Sequence, residues 1–202
     1  MSSESFALIS FFEVPPGQED DFIAAWGAAG EHLRGRAPGL ESSLYGSPAS
    51  VARYRFVDIT RYPSSQAFQE APAGSDARTA EAPFKSHGAV YRLERQHGGG
   101  EHQSSDVLVI DPFRVAPGAD SIFLAGWEPA CSALREQAGY LDSALYVAIS
   151  PTAEHRFVEL TRWVSAGAYE AALQHEGFLA TINMRRSHIF FRSYPGLYEQ
   201  IR

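Results

Sequence analysis

The chain has 202 residues, of which 45% are hydrophobic and 12% aromatic, a composition suited to an apolar core rather than to disorder. Its net charge is −7 and Lys85 is its only lysine, so it lacks the clustered cations that nucleic acid binding leans on. Cys131 stands alone, no apolar run approaches the length of a bilayer span, and Met1–Phe12 has no basic segment before a cleavable apolar one; the expectation is a cytoplasmic protein with no disulfide, no membrane and no nucleic acid among its partners.

The first strand is predicted over Phe6–Val14, which is β-rich and ends at the turn signal Pro15-Pro16-Gly17. A helix follows over Gln18–Arg36. Phe22, Ile23, Trp26, Ala29 and Leu33 recur at helical spacing, and Glu19, Asp20 and Asp21 sit in the first turn, where the helix dipole favours acids. Leu40–Gly46 and Arg53–Tyr62 read as a hairpin, Ser65 to about Ala71 as a short serine-capped helix, and Ser86–Leu93 as a fourth strand. The order is βαββαβ, the ferredoxin-like arrangement. Gln96–Ser105 is polar and Gly-rich and is expected to be a flexible connection.

Beyond it the same order returns: strand Val107–Val115, helix Ala119–Glu136, strands Leu141–Ala148 and His155–Trp163, helix Ala166–Gln174, and strand His188–Tyr194, with Pro195–Arg202 unassigned. The return is a duplication at an offset of 101 residues without gaps. RFVDITRY at Arg55–Tyr62 becomes RFVELTRW at Arg156–Trp163, and 21 of the 51 positions from Phe12 to Tyr62 are identical in the second copy. The domains are therefore placed at 1–95 and 106–202, with 96–105 between them. Each copy is small for a domain, so the copies are expected to complete their cores on each other.

These features, a βαββαβ unit with a Pro-Gly turn after its first strand, a strand ending in Trp and an Ala/Tyr-rich helix behind it, resemble the antibiotic biosynthesis monooxygenase family of the dimeric α+β barrel superfamily. The resemblance covers nearly the whole chain and implies an α+β fold in which two ferredoxin-like βαββαβ repeats form an intramolecular dimeric α+β barrel. A homodimer of such chains stays open. In the actinorhodin-type anthrone monooxygenases a Trp ends the third strand and a Tyr follows six residues later, both lining the pocket; Trp163 and Tyr169 have that spacing, whereas the first copy has Tyr62 and Phe68. The family's Asn four residues before this Trp is Glu159 here. Its Arg twenty residues after falls on Asn183, with Arg185 and Arg186 nearby. The haem-degrading branch has an Asn, a Trp and an iron-ligating His at positions that are Asp111, Ala172 and Ile182 here, so haem chemistry is not expected.

Strand alternation puts His155, Phe157, Glu159, Thr161 and Trp163 on one face, and the resemblance turns that face toward the pocket. The expected catalytic residues are Trp163, Tyr169, Glu159, Asp111 and His188. Phe157, Thr161, Phe178, Arg185 and Tyr146 are assigned to substrate contact. Such a lining suits a flat phenolic ligand, no phosphate-cradling loop or metal-ligand spacing is present, and the resemblance implies oxygenation of an aromatic polyketide by O₂ without a metal or bound flavin. A polyketide cyclase, a ring-opening oxygenase using reduced flavin as co-substrate, and a non-catalytic binding or accessory protein are the alternatives. Trp26 and Trp127 fall at core spacing and are assigned to packing. Arg55, Arg61, Arg156 and Arg162 are assigned to polar networks, in which Asp58 and Glu159 could take part, and Ser86-His87 and Ser187-His188 could be either structural or acid–base pairs.

Overall fold

In a computed structural model the structure describes residues 5–36, 40–49, 52–70, 84–99, 103, 106–176 and 190–202. The first repeat contains β1 (Phe6–Glu13), α1 (Glu19–Arg36), β2 (Glu41–Gly46), β3 (Phe56–Arg61), α2 (Ser65–Glu70) and β4 (Lys85–Gly98). The second contains β5 (Val107–Val115), α3 (Asp120–Arg135), β6 (Tyr140–Ala148), β7 (Phe157–Trp163), α4 (Ala166–Leu173), β8 (Phe191–Ser193) and β9 (Gly196–Gln200). The fold is α+β, and the duplicated βαββαβ order is present.

The local signals act as their chemistry requires. Gly17 and Gly118, at φ of +85° and +80°, form the same turn after the first strand of each repeat. The second helix of each repeat starts at an equivalent serine: Ser64 Oγ accepts the Ala67 N–H at 3.0 Å and Ser165 Oγ accepts the Ala168 N–H at 3.2 Å. Two boundaries differ from the sequence reading. β4 continues through residues taken for linker, as far as Gly98. The fourth strand of the second repeat is divided, β8 ending before Tyr194-Pro195 and β9 forming from the tail left unassigned.

The chain divides into two compact units, one of Met1–Leu93 with Val147–Glu154 and Tyr198–Arg202, the other of Glu94–Tyr146 with His155–Leu197. In the first, β1 lies between β3 and β4, antiparallel to both, and β3 also pairs with β2. Tyr45 and Gly46 of β2 pair with Gln200 and Glu199 of β9. The core behind β1 and β3 joins Phe12, Phe22, Trp26, Leu44 and Phe56, with Phe22 stacked on Phe56 at 4.5 Å. In the second unit β5 pairs antiparallel with β7 on one side and β8 on the other. Its core repeats the first: Phe123, one offset on from Phe22, stacks on Phe157 at 4.4 Å. Burying each such ring stabilises by about 2–3 kcal/mol relative to leaving it in water.

Arg156 holds Asp120 at the start of α3 through Nε and Nη2, at 2.9 and 2.8 Å, and Arg55 stands 3.6 Å from Glu19 at the start of α1. These duplicated arginines tie each third strand to the first helix of its own repeat. Arg162 adds an ion pair to Asp142 at 3.4 Å.

Candidate active site

The register of β5 and β7 assembles the expected residues. Glu159 lies opposite Asp111, Trp163 opposite Val107, Thr161 opposite Val109 and Phe157 opposite Phe113. Alternate residues of paired strands share a face, so all eight side chains line the same one. That face is covered by helices: Trp163 packs with Leu134 of α3 and Ala172 of α4, and Tyr169 of α4 closes against the same group.

Trp163 is fully buried, with Tyr169 tilted against it at 5.6 Å and Tyr140 edge-on at 5.7 Å. Gly139 makes the Tyr140 contact possible. Its φ is +87°, and a Cβ there would come within 2.6 Å of Ala168 Cβ and 2.8 Å of Val164 Cγ2, so no larger residue lets Tyr140 enter the strand at this place. The indole Nε1 of Trp163 is buried with no hydrogen-bond partner, a donor that costs about 1–3 kcal/mol to leave unmatched. Burial pushes the Tyr169 phenol well above its ordinary pKa, and the negative charges of Asp111 and Glu159 push it further. Tyr169 is therefore a protonated donor at neutral pH, and both carboxylates act on it. Asp111 Oδ1 accepts the backbone N–H of Tyr194 at 3.0 Å, which answers how a carboxylate sits in an apolar strand.

Below this group lies a polar chain that the sequence did not reveal. Tyr140 OH donates to Ser143 Oγ at 2.9 Å, and Ser143 Oγ lies 3.3 Å from Cys131 Sγ. Burial pushes the Tyr140 phenol up to about 12 and the Cys131 thiol up to about 11, so both stay protonated. Trp127 of α3 is also buried, and its Nε1 has no hydrogen-bond partner either. Helical spacing assigns Trp127 to packing, which locates the ring and says nothing of where its N–H points.

The remaining expected residues fall elsewhere. Tyr146 is three positions from Ser143 on β6, hence on the opposite face of the strand from the one that meets Cys131, and strand parity separates it from the group above. Phe178, Arg185 and His188 lie outside the described residues. The first-repeat equivalent of His188 is described: His87 Nε2 meets Glu13 Oε1 at 2.8 Å, and its Nδ1 meets Glu154 Oε2. This is a structural ion network, joined by Lys85 on Glu13 at 2.9 Å and by Arg53 on Glu154 at 3.5 Å. A cleft of about 450 Å³ beside it, bounded by Glu13, Gln18, Arg53, Phe84 and Lys85, is in the first unit and apart from the candidate site. Among the described residues no three His, Cys, Asp or Glu groups are placed to hold a metal ion, and no helix is long and apolar enough to cross a membrane.

Residues 107–184, within the second repeat, match the antibiotic biosynthesis monooxygenase family. Over 100% of its length the chain is similar to a Fusobacterium nucleatum subsp. nucleatum protein provisionally described as a monooxygenase, at 14% identity and a TM-score of 0.68, covering 94% of that chain. It is equally similar to an anthrone oxidase-like protein, at 17% identity and a TM-score of 0.68, covering 100% of this chain and 92% of the other. A protein described as a major regulator of staphylococcal pathogenesis matches at 10% identity and a TM-score of 0.58, with 97% and 99% covered. These likenesses establish the α+β fold over the full chain. No curated protein matches the sequence.

Proposed function

We propose that the second repeat is a monooxygenase that oxidises an aromatic polyketide-type phenol or anthrone with O₂ and no bound cofactor. The observation that carries this reading is the meeting of two facing carboxylates, Asp111 and Glu159, with a protonated Tyr169 and the unmatched N–H of Trp163 on one buried face.

An acidic anthrone CH₂ loses a proton to Glu159, with Asp111 as the second carboxylate. The resulting electron-rich anion gives its electrons to O₂, a C–O bond forms, and the peroxide so produced is protonated. Loss of the remaining C–H proton with cleavage of the O–O bond leaves a carbonyl and releases water. One oxygen atom enters the product, the other leaves in water, and the substrate supplies all four electrons, so no external reductant is required. The role of Trp163 Nε1 and Tyr169 OH is to donate to the developing peroxide, where preorganised donors act most strongly because water is excluded. The carboxylates serve as general bases.

The test is aerobic incubation of the purified protein with a model anthrone, without added metal or flavin. Quinone is expected above the uncatalysed background. Trp163→Phe and Tyr169→Phe are each expected to lower turnover by about 10²-fold, the scale of one lost transition-state donor, with ligand affinity nearly unchanged. Absence of quinone from the wild-type reaction overturns the reading. Equal loss of affinity and turnover in the two variants would instead favour a binding protein, the reading that the similarity to the staphylococcal regulator keeps in view.

A further inference from the structure

Two buried rings have matched donors in the first unit, and their counterparts have unmatched ones in the second. Trp26 Nε1 donates at 3.1 Å to Asp58, an acid 1% exposed that also accepts from Ser42 Oγ at 2.6 Å and Thr60 Oγ1 at 3.0 Å. Tyr198 OH donates to the carbonyl of Tyr54 at 3.0 Å. At an offset of 101 residues, forward from Trp26 and back from Tyr198, stand Trp127 and His97. Both belong to the second unit, and their rings are stacked, with centroids 5.7 Å apart and planes at 19°.

Trp127 is 1% exposed, and its Nε1 has no hydrogen-bond partner among the described residues. His97 is in the same condition. Arg135 Nη1 lies 2.8 Å from His97 Nδ1, and a guanidinium can only donate, so Nδ1 accepts and the ring carries its proton on Nε2. That nitrogen is buried and unbonded as well, Glu128 Oε1 standing 3.5 Å away without completing a hydrogen bond. Buried donors are almost always paired. Two orphans on adjoining rings, at positions whose counterparts are both matched, point to a partner that comes from outside the chain. Trp127 is placed to meet one that enters the candidate site. It lies on the buried face of α3 between Phe123, stacked on Phe157 of β7, and Cys131, 3.3 Å from Ser143 of β6. Leu134, seven residues on and also on that face, packs with Trp163, so roughly 10 Å of helix separates the places of the two indoles.

We propose that Trp127 Nε1 and His97 Nε2 take the ketone oxygen of the aromatic substrate and stabilise the oxyanion into which it turns. In an anthrone the ketone lies across the central ring from the CH₂ that reacts. When that CH₂ gives a proton to the site's base, the electron pair of the broken C–H bond stays on the substrate and delocalises onto the ketone oxygen; no oxidant takes part in this step. Neutral N–H donors fixed at that oxygen stabilise the charge as it forms. The cation beside them, Arg135, is engaged with His97, with Ser132 Oγ at 2.7 Å and with Glu128 at 3.4 Å. The pair therefore presents hydrogens without an uncompensated charge, a setting for a ketone and not for phosphate or sulfate. The inference rests on the reading of an anthrone-type substrate for this site.

The indole N–H resonances of Trp26, Trp127 and Trp163, assigned from single Trp→Phe variants, are read in the free protein and with anthraquinone, which has the ring ketone and does not react. In the free protein Trp127 must lack the downfield, slowly exchanging signature of Trp26; a bonded Trp127 there, to a side chain or to a buried water, overturns the proposal. With anthraquinone its resonance is expected to move downfield and its exchange to slow by about tenfold. A Trp163 resonance that moves while Trp127 stays overturns the proposal and leaves the oxygenase reading standing. If neither moves, both fall. Proton loss is read separately, as deuterium uptake at the anthrone CH₂ in D₂O without oxygen. Trp127→Phe is expected to slow the protein-catalysed uptake by about 10²-fold, and His97→Met to slow it about tenfold more than His97→Gln, which keeps a donor at the end of its side chain. Undiminished uptake in Trp127→Phe overturns the proposal, and if that variant does not fold, equal uptake in the two His97 variants does so. A protein that shifts Trp127 and takes up deuterium but forms no quinone in air keeps the donor pair and loses the oxygenase reading alone.

Discussion

In the first repeat Phe6 is stacked on Phe68 at 4.6 Å, and Tyr62 meets the same ring edge-on at 5.4 Å. The second repeat has Val107, Tyr169 and Trp163 at those places, so a benzyl group has become an isopropyl group beside the aromatic pair. One backbone plan thus serves two ends. In the first copy the space between sheet and helix is taken up by rings and the buried acid is consumed by its neighbours. In the second the rings carry polar hydrogens, the filler is smaller, and the acid is longer. The differences lie in a few side chains while the order of helices and strands is the same in both repeats.

The largest effect that can break this comparison comes from restoring the filler. Val107→Phe places the Phe6 side chain in the second repeat and is expected to reduce anthrone turnover more than tenfold. Overpacking is expected to cost about 1–3 kcal/mol in unfolding free energy, so a folded but inactive protein is the diagnostic result, and unchanged turnover means that the space beside Tyr169 is not used. A second test reads the buried acid of the first repeat through stability. Asp58→Ala leaves a buried indole N–H and two hydroxyls unmatched and is expected to lower the unfolding free energy by about 3 kcal/mol or more. A loss below about 1 kcal/mol in chemical denaturation would mean that this acid does not anchor the first repeat.

The smallest effect concerns the ion network of the first unit. Burial raises the Glu13 carboxyl, but the hydrogen bonds and charges of Lys85 and His87 outweigh that and leave it below its ordinary value. A depressed acid contributes stability that is present above its unfolded pKa of about 4.3 and is lost as pH falls through the folded value. The contribution is expected to stay under about 1 kcal/mol, since Glu13 is partly exposed and screened. Glu13→Gln should therefore flatten the acid side of the stability–pH curve slightly, and a curve identical to wild type would remove this network from the account.

The sequence was informative where a pattern depends on one dimension. The repeat offset, the β5 boundaries, the helix starts and the shared face of Phe157, Glu159, Thr161 and Trp163 all follow from spacing, and the structure has them. It was silent where the answer depends on direction. Trp127 looks like any core tryptophan until the orphaned indole is seen beside the satisfied one of Trp26. Cys131 belongs to α3 and Tyr140 and Ser143 to β6, so no local motif announces their chain of contacts. Tyr146 is an aromatic residue of the type expected at the site, but its parity on β6 turns it to the other face. β4 was cut short because QHGGG reads as polar and flexible, yet the His97 ring stacks on Trp127 at 5.7 Å and its Nδ1 meets Arg135 Nη1 at 2.8 Å, enough to hold the strand to Gly98.

The division of the chain into units has a consequence for anyone who would take the protein apart. Leu44 N–H reaches the carbonyl of Arg202, and Tyr198 OH reaches the carbonyl of Tyr54 at 3.0 Å, so the last residues of the polypeptide are woven into the unit that contains its first. The gene records a clean seam at the duplication, but scissors applied there would leave one fragment without its closing strand and the other with a loose end.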